Sequence, residues 1–147
     1  MYALAFTTCE RQPHFVSAAV VDLVLQQILR AAREHGVQIV AYCFMPDHLH
    51  LLVEGLDATS DCLAFVNMAK QGSGYYFKQR TGQRLWQRYG YERVVRDEAE
   101  RSQTLRYIVN NPVAAGLATR AADYPFLGSQ CHSVSELLEQ AGLGTSG

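Results

Sequence analysis

Residues 37–54, VQIVAYCFMPDHLHLLVE, constrain the fold more than any other stretch of this 147-residue chain. Val37 to Met45 form a nearly continuous apolar run, as a central strand would. Pro46-Asp47 is a turn signal. Residues 48–54, HLHLLVE, then roughly alternate as a second strand, so the segment reads as a hairpin.

The remaining elements fall on either side of it. Residues 2–9, YALAFTTC, are rich in β-branched and aromatic types and read as a strand. Ser17 caps a helix running to about Arg33, with Val21, Leu23, Val24, Ile28 and Leu29 as its apolar stripe, and Gly36 ends it. A second helix is expected from about Ser60 to Lys78. Gly72 and Gly74 weaken it, since glycine costs about 1 kcal/mol in a helix interior. Residues 85–96 read as a strand with a bulge at Gly90, and residues 98–111 as a third helix ended by Pro112. The order β-α-β-β-α-β-α predicts an α+β fold: a ferredoxin-like (RRM-like) antiparallel sheet with helices packed on one face. No repeat or interdomain linker is visible. Residues 1–147 are therefore expected to form one domain, with fraying from about residue 141.

Composition narrows the function classes. Hydrophobic residues make up 48% and charged residues 18%, which excludes a disordered tail or a coiled coil. No apolar run approaches the about 20 residues needed to span a bilayer, and no secretory leader or membrane association is expected. Cys9, Cys43, Cys62 and Cys131 are scattered with no CxxC, as in a reduced, cytoplasmic protein. The net charge of −1 is uninformative, but its distribution is not. Residues 1–69 carry three basic and seven acidic side chains, and residues 70–106 carry nine basic and four acidic. That asymmetry points to a local anionic partner.

Three constellations carry chemistry. On a strand His48 and His50 face the same way, about 7 Å apart, and two such imidazoles suit one divalent ion. The same pattern also fits two hydrogen-bonded strand histidines. Tyr107 and Asn111 share a helix face at i and i+4. A phenol is a nucleophile once a cation or base helps remove its proton, and an amide oxygen is a third, hard ligand. A core tyrosine and a helix-end asparagine give the same spacing, and Pro112 is expected to distort the helix at Asn111. The third constellation is basic and aromatic: Lys70, Lys78, Arg80, Arg84, Arg88 and Arg93 are interleaved with Tyr75, Tyr76, Trp86, Tyr89 and Tyr91. Cations meet phosphates and exposed rings stack on unpaired bases, although a solvated helix followed by a core strand would look alike.

These residues carry a family resemblance. FMPDHLHLLVE (44–54) resembles the HUH motif of IS200-like single-tyrosine transposases. RLWQRYGYERVVRDEAERSQTLRYIVNNPVAAGL (84–117) and DYPFLGS (123–129) resemble the REP-associated tyrosine transposase branch. The resemblance implies that His48, His50 and Asn111 hold Mg²⁺ or Mn²⁺ and that Tyr107 is the nucleophile. It implies a single-stranded DNA substrate with an adjacent hairpin, cleaved through a covalent 5′-phosphotyrosine and then rejoined. The basic side chains named above would hold the DNA, in the cytoplasm and at the nucleoid, as a monomer or a homodimer. The glycine-rich turn of helix at Gly72 and Gly74 departs from the firmer, more basic helix that the family pattern suggests. A hairpin-binding module without catalysis, or an unrelated HxH hydrolase independent of Tyr107, are the competing classes.

Overall fold

The hairpin forms where the pattern places it, and the sheet is built around it. In this computed structural model, which describes residues 1–144, the elements run β1 (Tyr2–Thr7), α1 (Ala18–Glu34), β2 (Val37–Met45), β3 (His48–Gly55), α2 (Cys62–Thr81), β4 (Tyr91–Val94), α3 (Glu98–Ala114), β5 (Leu127–Gly128) and α4 (Val134–Gln140). All strand pairs are antiparallel, in the order β4-β1-β3-β2-β5. The first four follow the expected ferredoxin-like order, and β5 extends the sheet beyond β2.

The period of two sorts β3 cleanly. Leu49, Leu51 and Val53 pack with α1 and α2, together with Leu4 and Phe6 of β1. Leu52 turns the other way, towards Leu105, Ile108 and Val109 of α3 and Leu137 and Leu138 of α4. A register shift between Ile39 and Ala41 lets both Val40 and Ala41 join that second layer. Burial on both sides explains why β2 reads as a nearly continuous apolar run, interrupted only by the half-buried Gln38.

Four features differ from expectation. Helices cover both faces of the sheet, not one: α1 and α2 lie on one side, α3 and α4 on the other. The segment 85–96 is not one strand. Trp86 makes an isolated bridge to Thr8, and regular pairing starts only at Tyr91. Between them Gly90 passes so close to β1 that a Cβ there would lie 2.7 Å from the Ala5 carbonyl oxygen. Helix α3 continues through Pro112, which is buried, and Ala115 N–H still reaches Asn111 O. Finally, Ala141 is buried and Leu143 N–H donates to Leu138 O, so order persists past residue 141, while residues 145–147 lie outside the described residues.

Helix α2 is unbroken despite its glycines, and tertiary contact explains them. At Gly72 a Cβ would lie 3.2 Å from Gln27 Oε1 of α1. Between the glycines Ser73 is buried, donates to Ala69 O at 2.6 Å and accepts from Trp86 Nε1 at 2.9 Å. Small residues here let α1 and Trp86 approach α2 closely, and that packing outweighs the lost propensity.

Candidate active site and nucleic-acid surface

His48 and His50 project from β3 on the α3 side because the leucines between and beyond them fill the opposite side. Their ring centroids are 4.7 Å apart and nearly perpendicular. On α3, the buried residues Leu105, Ile108, Val109 and Pro112 anchor the helix to the sheet. That leaves Tyr107 and Asn111 at its margin, above the histidines. The Tyr107 ring lies 5.3 Å from the His50 ring, and Asn111 Nδ2 lies 3.4 Å from His50 Nε2. Since α3 continues past Pro112, the i,i+4 face shared by Tyr107 and Asn111 survives. Residues from strand and helix that are about sixty positions apart in sequence thus converge on one point.

Electrostatics set the protonation of this cluster. Burial, and then the charge of His48, push His50 down to about 4, so its imidazole is neutral at pH 7 with a free lone pair. Asp47 sits beside His48, its Oδ1 2.7 Å from His48 Nδ1, while Arg11 Nε donates to Asp47 Oδ2 at 3.0 Å. Burial alone would raise the Asp47 carboxyl. The hydrogen bonds and charges of His48 and Arg11 together outweigh it and hold it below its usual range. An ionised carboxylate only accepts, so His48 Nδ1 donates to it, and Nε2 is the ring nitrogen turned away from Asp47.

Asp47 and Arg11 are the residues of this cluster that sequence reasoning missed. Asp47 reads as half of a turn signal. Arg11 reaches it because Glu10 and Arg11 adopt left-handed backbone, φ 56° and 53°, and nothing in their residue types announces that.

The donors fit a divalent cation. Among the described residues no three His, Cys, Asp or Glu side chains gather, and the further polar side chain beside His50 is the Asn111 amide, which would serve as a third donor. Turning that amide over would aim its oxygen at the place its nitrogen now occupies. Two neutral nitrogens and one amide oxygen leave other coordination positions open, as a catalytic ion requires.

Two clefts flank Tyr107, which is 62% exposed. One, of about 490 Å³, runs from His50 across β1 to Tyr91 and Arg93. The other, of about 590 Å³, lies along the outer side of α3 by Arg106, Asn110 and Asn111.

The six basic residues singled out in the sequence separate into three places. Lys70, Lys78, Arg84 and Arg88 line a groove of about 600 Å³ between α2 and the 84–88 loop. Within it Lys70 Nζ donates to the carbonyls of Gln87 and Arg88, supporting the loop from beneath, and Arg84 Nε donates to Trp86 O. Arg93 is in the first cleft beside Tyr107, with Nη2 donating to Thr104 Oγ1 at 2.8 Å. Arg80 is exposed near the end of α2, apart from both. Of the interleaved aromatics Trp86 is core, whereas Tyr75, Tyr76, Tyr89 and Tyr91 are exposed.

Comparison with known proteins follows this geometry. The family model described as "Transposase IS200 like" matches residues 1–111. A Haemophilus influenzae protein named as a REP-associated tyrosine transposase is 31% identical over 109 residues, covering 66% of this chain. This chain spans 61% of that relative's length. Among solved structures, a REP-associated tyrosine transposase bound to a REP hairpin superposes with a TM-score of 0.74 at 20% identity, covering 86% of this chain and 74% of the other. A transposase structure from Deinococcus radiodurans gives a TM-score of 0.56 at 26% identity, over 74% of this chain and 88% of that one. The first of these likenesses extends the shared fold over nearly the whole described chain, and the family match covers both β3 and the part of α3 that bears Tyr107 and Asn111. The chain belongs to the IS200-like transposase family, with its similarities on the REP-associated tyrosine transposase side.

Proposed function

We propose that this chain cleaves single-stranded DNA beside a hairpin and rejoins it, with Tyr107 as nucleophile. The observation that carries the proposal is the convergence of Tyr107 and Asn111 of α3 on His50 and His48 of β3. Tyr107 Oη attacks phosphorus and the bond to the 3′-oxygen breaks. The products are a 5′-phosphotyrosine and a free 3′-hydroxyl, which takes up a proton. Attack by a second 3′-hydroxyl on the same linkage reverses the step and joins strands without ATP. His48, His50 and Asn111 would hold Mg²⁺ or Mn²⁺, which when bound supplies Lewis acidity to the phosphate oxygens. Asp47 keeps His48 oriented for that task through its Nδ1 contact. Mn²⁺ suits a site with two nitrogen donors better than Mg²⁺ does, so faster cleavage is expected with Mn²⁺ at matched saturation.

Hairpin DNA is the partner proposed here, by likeness to the relative whose structure holds a REP hairpin. Lys78, Arg84 and Arg88 are placed to meet phosphates in the α2 groove. Gln87 N–H donates to Thr7 O, and Thr7 pairs with His48, so this groove and the histidines meet around one end of β1. A strand leaving the groove therefore has a short path to Tyr107.

The test is a covalent-adduct assay with labelled hairpin-bearing single strands and Mn²⁺ on denaturing gels. The wild type should give a shifted protein–DNA band, absent in Tyr107→Phe. Cleavage that persists in Tyr107→Phe would show hydrolysis without the tyrosine. Hairpin binding with no cleavage of any bound strand would show a binding module.

A further inference from the structure

The cleft between β1, β4 and α3 has walls of a particular kind. Across the sheet Tyr91 of β4, Ala5 of β1 and His50 of β3 are paired neighbours, and Arg93 pairs with Ala3 in the next row but one along β1. The centre of the row is a methyl group while its flanks are aromatic. Tyr91 and His50 stand two strands apart, roughly 10 Å. Tyr107 overhangs from α3, with Gln103 one helical turn before it. Tyr91 is 57% exposed, and its ring has no aromatic neighbour within stacking range among the described residues. At about 490 Å³ the cleft falls in the size range of small-ligand sites, about 300–1,000 Å³.

One charged side chain is held in place there. Arg93 Nη2 donates to Thr104 Oγ1, whose own proton goes to Glu100 O at 2.8 Å, so the guanidinium is fixed to α3. No carboxylate pairs with Arg93 among the described residues. Its other N–H groups remain to donate, and guanidinium offers no acceptor. A planar, stackable ligand with acceptors along one edge fits this arrangement.

We propose that this cleft holds one unpaired DNA base next to the bond that Tyr107 attacks, over Ala5 and against Tyr91, with Arg93 reading the base's acceptor edge. Guanine meets that requirement best, because O6 and N7 lie side by side and accept a guanidinium fork. Adenine offers N7 alone on that edge and thymine has no two adjacent acceptors; the O2 and N3 of unpaired cytosine are the one rival pair, and a cytosine preference in the selection below would overturn the guanine assignment. Gln103 is the second polar group on the wall and is placed to contact a neighbouring edge. The proposal rests on the DNA reading above and adds a selector for one base to it.

Selection from a pool of hairpin oligonucleotides with randomised unpaired flanks tests it, using the full chain with Tyr107→Phe so that nothing is cleaved. Bound strands are sequenced. The expected result is a guanine preference of about tenfold at one flank position. Arg93→Lys, which keeps the charge and loses the fork, should flatten that position alone while other enriched positions persist. Ala5→Leu, which fills the cleft from its floor, should do the same through loss of space. A 2-aminopurine at the selected position should be quenched by the protein and recover in Tyr91→Ala. Three results overturn the proposal: a flat profile in the parent protein, an unchanged guanine preference in Arg93→Lys, or quenching that survives Tyr91→Ala. A pool that binds and yields adducts with wild-type Tyr107 but shows no preference removes the base selector alone. Absence of any bound strand removes the DNA reading with it.

Discussion

The two faces of the sheet differ in how completely they are filled. On the α1–α2 side, β1 and β3 present Leu4, Phe6, Leu49, Leu51 and Val53, and the buried rings of Phe15, Phe44, Phe65, Phe77 and Trp86 close over them. Phe15 meets Phe44 edge-on at 5.0 Å, and Phe6 meets Trp86 edge-on at 5.5 Å, the geometry that aromatic pairs prefer. On the α3 side the same two strands present Ala3, Ala5, His48, His50 and, as the one large apolar side chain of the set, Leu52. Ala3 still packs with the α3 core, but Ala5 is too small to fill the space beneath Tyr107, and a cleft remains. The closed face fixes the backbone of β1 and β3 to within the packing tolerance of a protein interior. The open face uses that rigidity to hold polar donors and an exposed tyrosine at set positions without packing around them.

The contrast is broken most sharply by Tyr107→Phe. Adduct formation should fall below detection, while thermal unfolding stays within about 0.5 kcal/mol of wild type because the side chain is largely exposed. Phe44→Ala on the closed face should do the reverse. It should cost about 3–5 kcal/mol in chemical denaturation through the cavity it leaves, with metal and DNA affinity retained under conditions where it is folded. Asp47→Ala comes next. Losing the partner of His48 Nδ1 should weaken Mn²⁺ binding roughly 10–100-fold, read by electron paramagnetic resonance or calorimetry. Stability should change little, since Asp47 lies at a partly exposed turn. Equal Mn²⁺ affinity in the variant would show that the contact is merely structural.

The smallest effect concerns alkaline pH on the α3 side. Burial, followed by the Cys43 thiol, raises Tyr124 to about 12, and its hydroxyl donates to Phe44 O. The unfolded chain ionises this phenol near the ordinary tyrosine value of 10.0, so the folded state binds the proton more tightly. The stabilisation is complete below about pH 10 and is lost as pH rises from there through 12. Cys43, raised by burial to about 12, adds a similar loss that begins from the ordinary thiol value of 9.0. Tyr124→Phe should therefore flatten only the upper part of the alkaline limb. At pH 7 it should lower stability by about 1 kcal/mol for the lost hydrogen bond. An unchanged alkaline limb in this variant would remove Tyr124 from the account.

Legibility followed the range of the forces involved. Helix starts were local and readable: Ser17 accepts from Val20 N–H as a cap should, and Gly82 closes α2 in left-handed backbone. Helix α4 was readable too and was overlooked, since Ser133 and Glu136 form a capping box three residues apart. Strand β5 has two residues, and its pairing with Tyr42 and Cys43 leaves no periodic signal. The unbroken helix at Gly72 depended on how closely α1 approaches, and the division of residues 85–96 depended on the passage of Gly90 against Ala5. Propensity sees neither.

The site divides the same way. Alternation along β3 sufficed to put His48 and His50 on one face, and helical spacing sufficed for Tyr107 and Asn111, because each pair lies within one element with a fixed repeat. That the two pairs meet, and that Arg93 leaves the other cations to line the cleft beside them, depended on which side of the sheet α3 covers. The Arg11–Asp47–His48 chain depended in turn on two left-handed residues at the end of β1. The amino-acid sequence by itself determined β1 to β3, α1 to α3, the two same-face pairs and the family, through repeats and motifs that lie within single elements. Tertiary structure alone decided the layer holding α3, the open cleft and the partner of His48, because contacts between distant residues arise only from packing the whole chain.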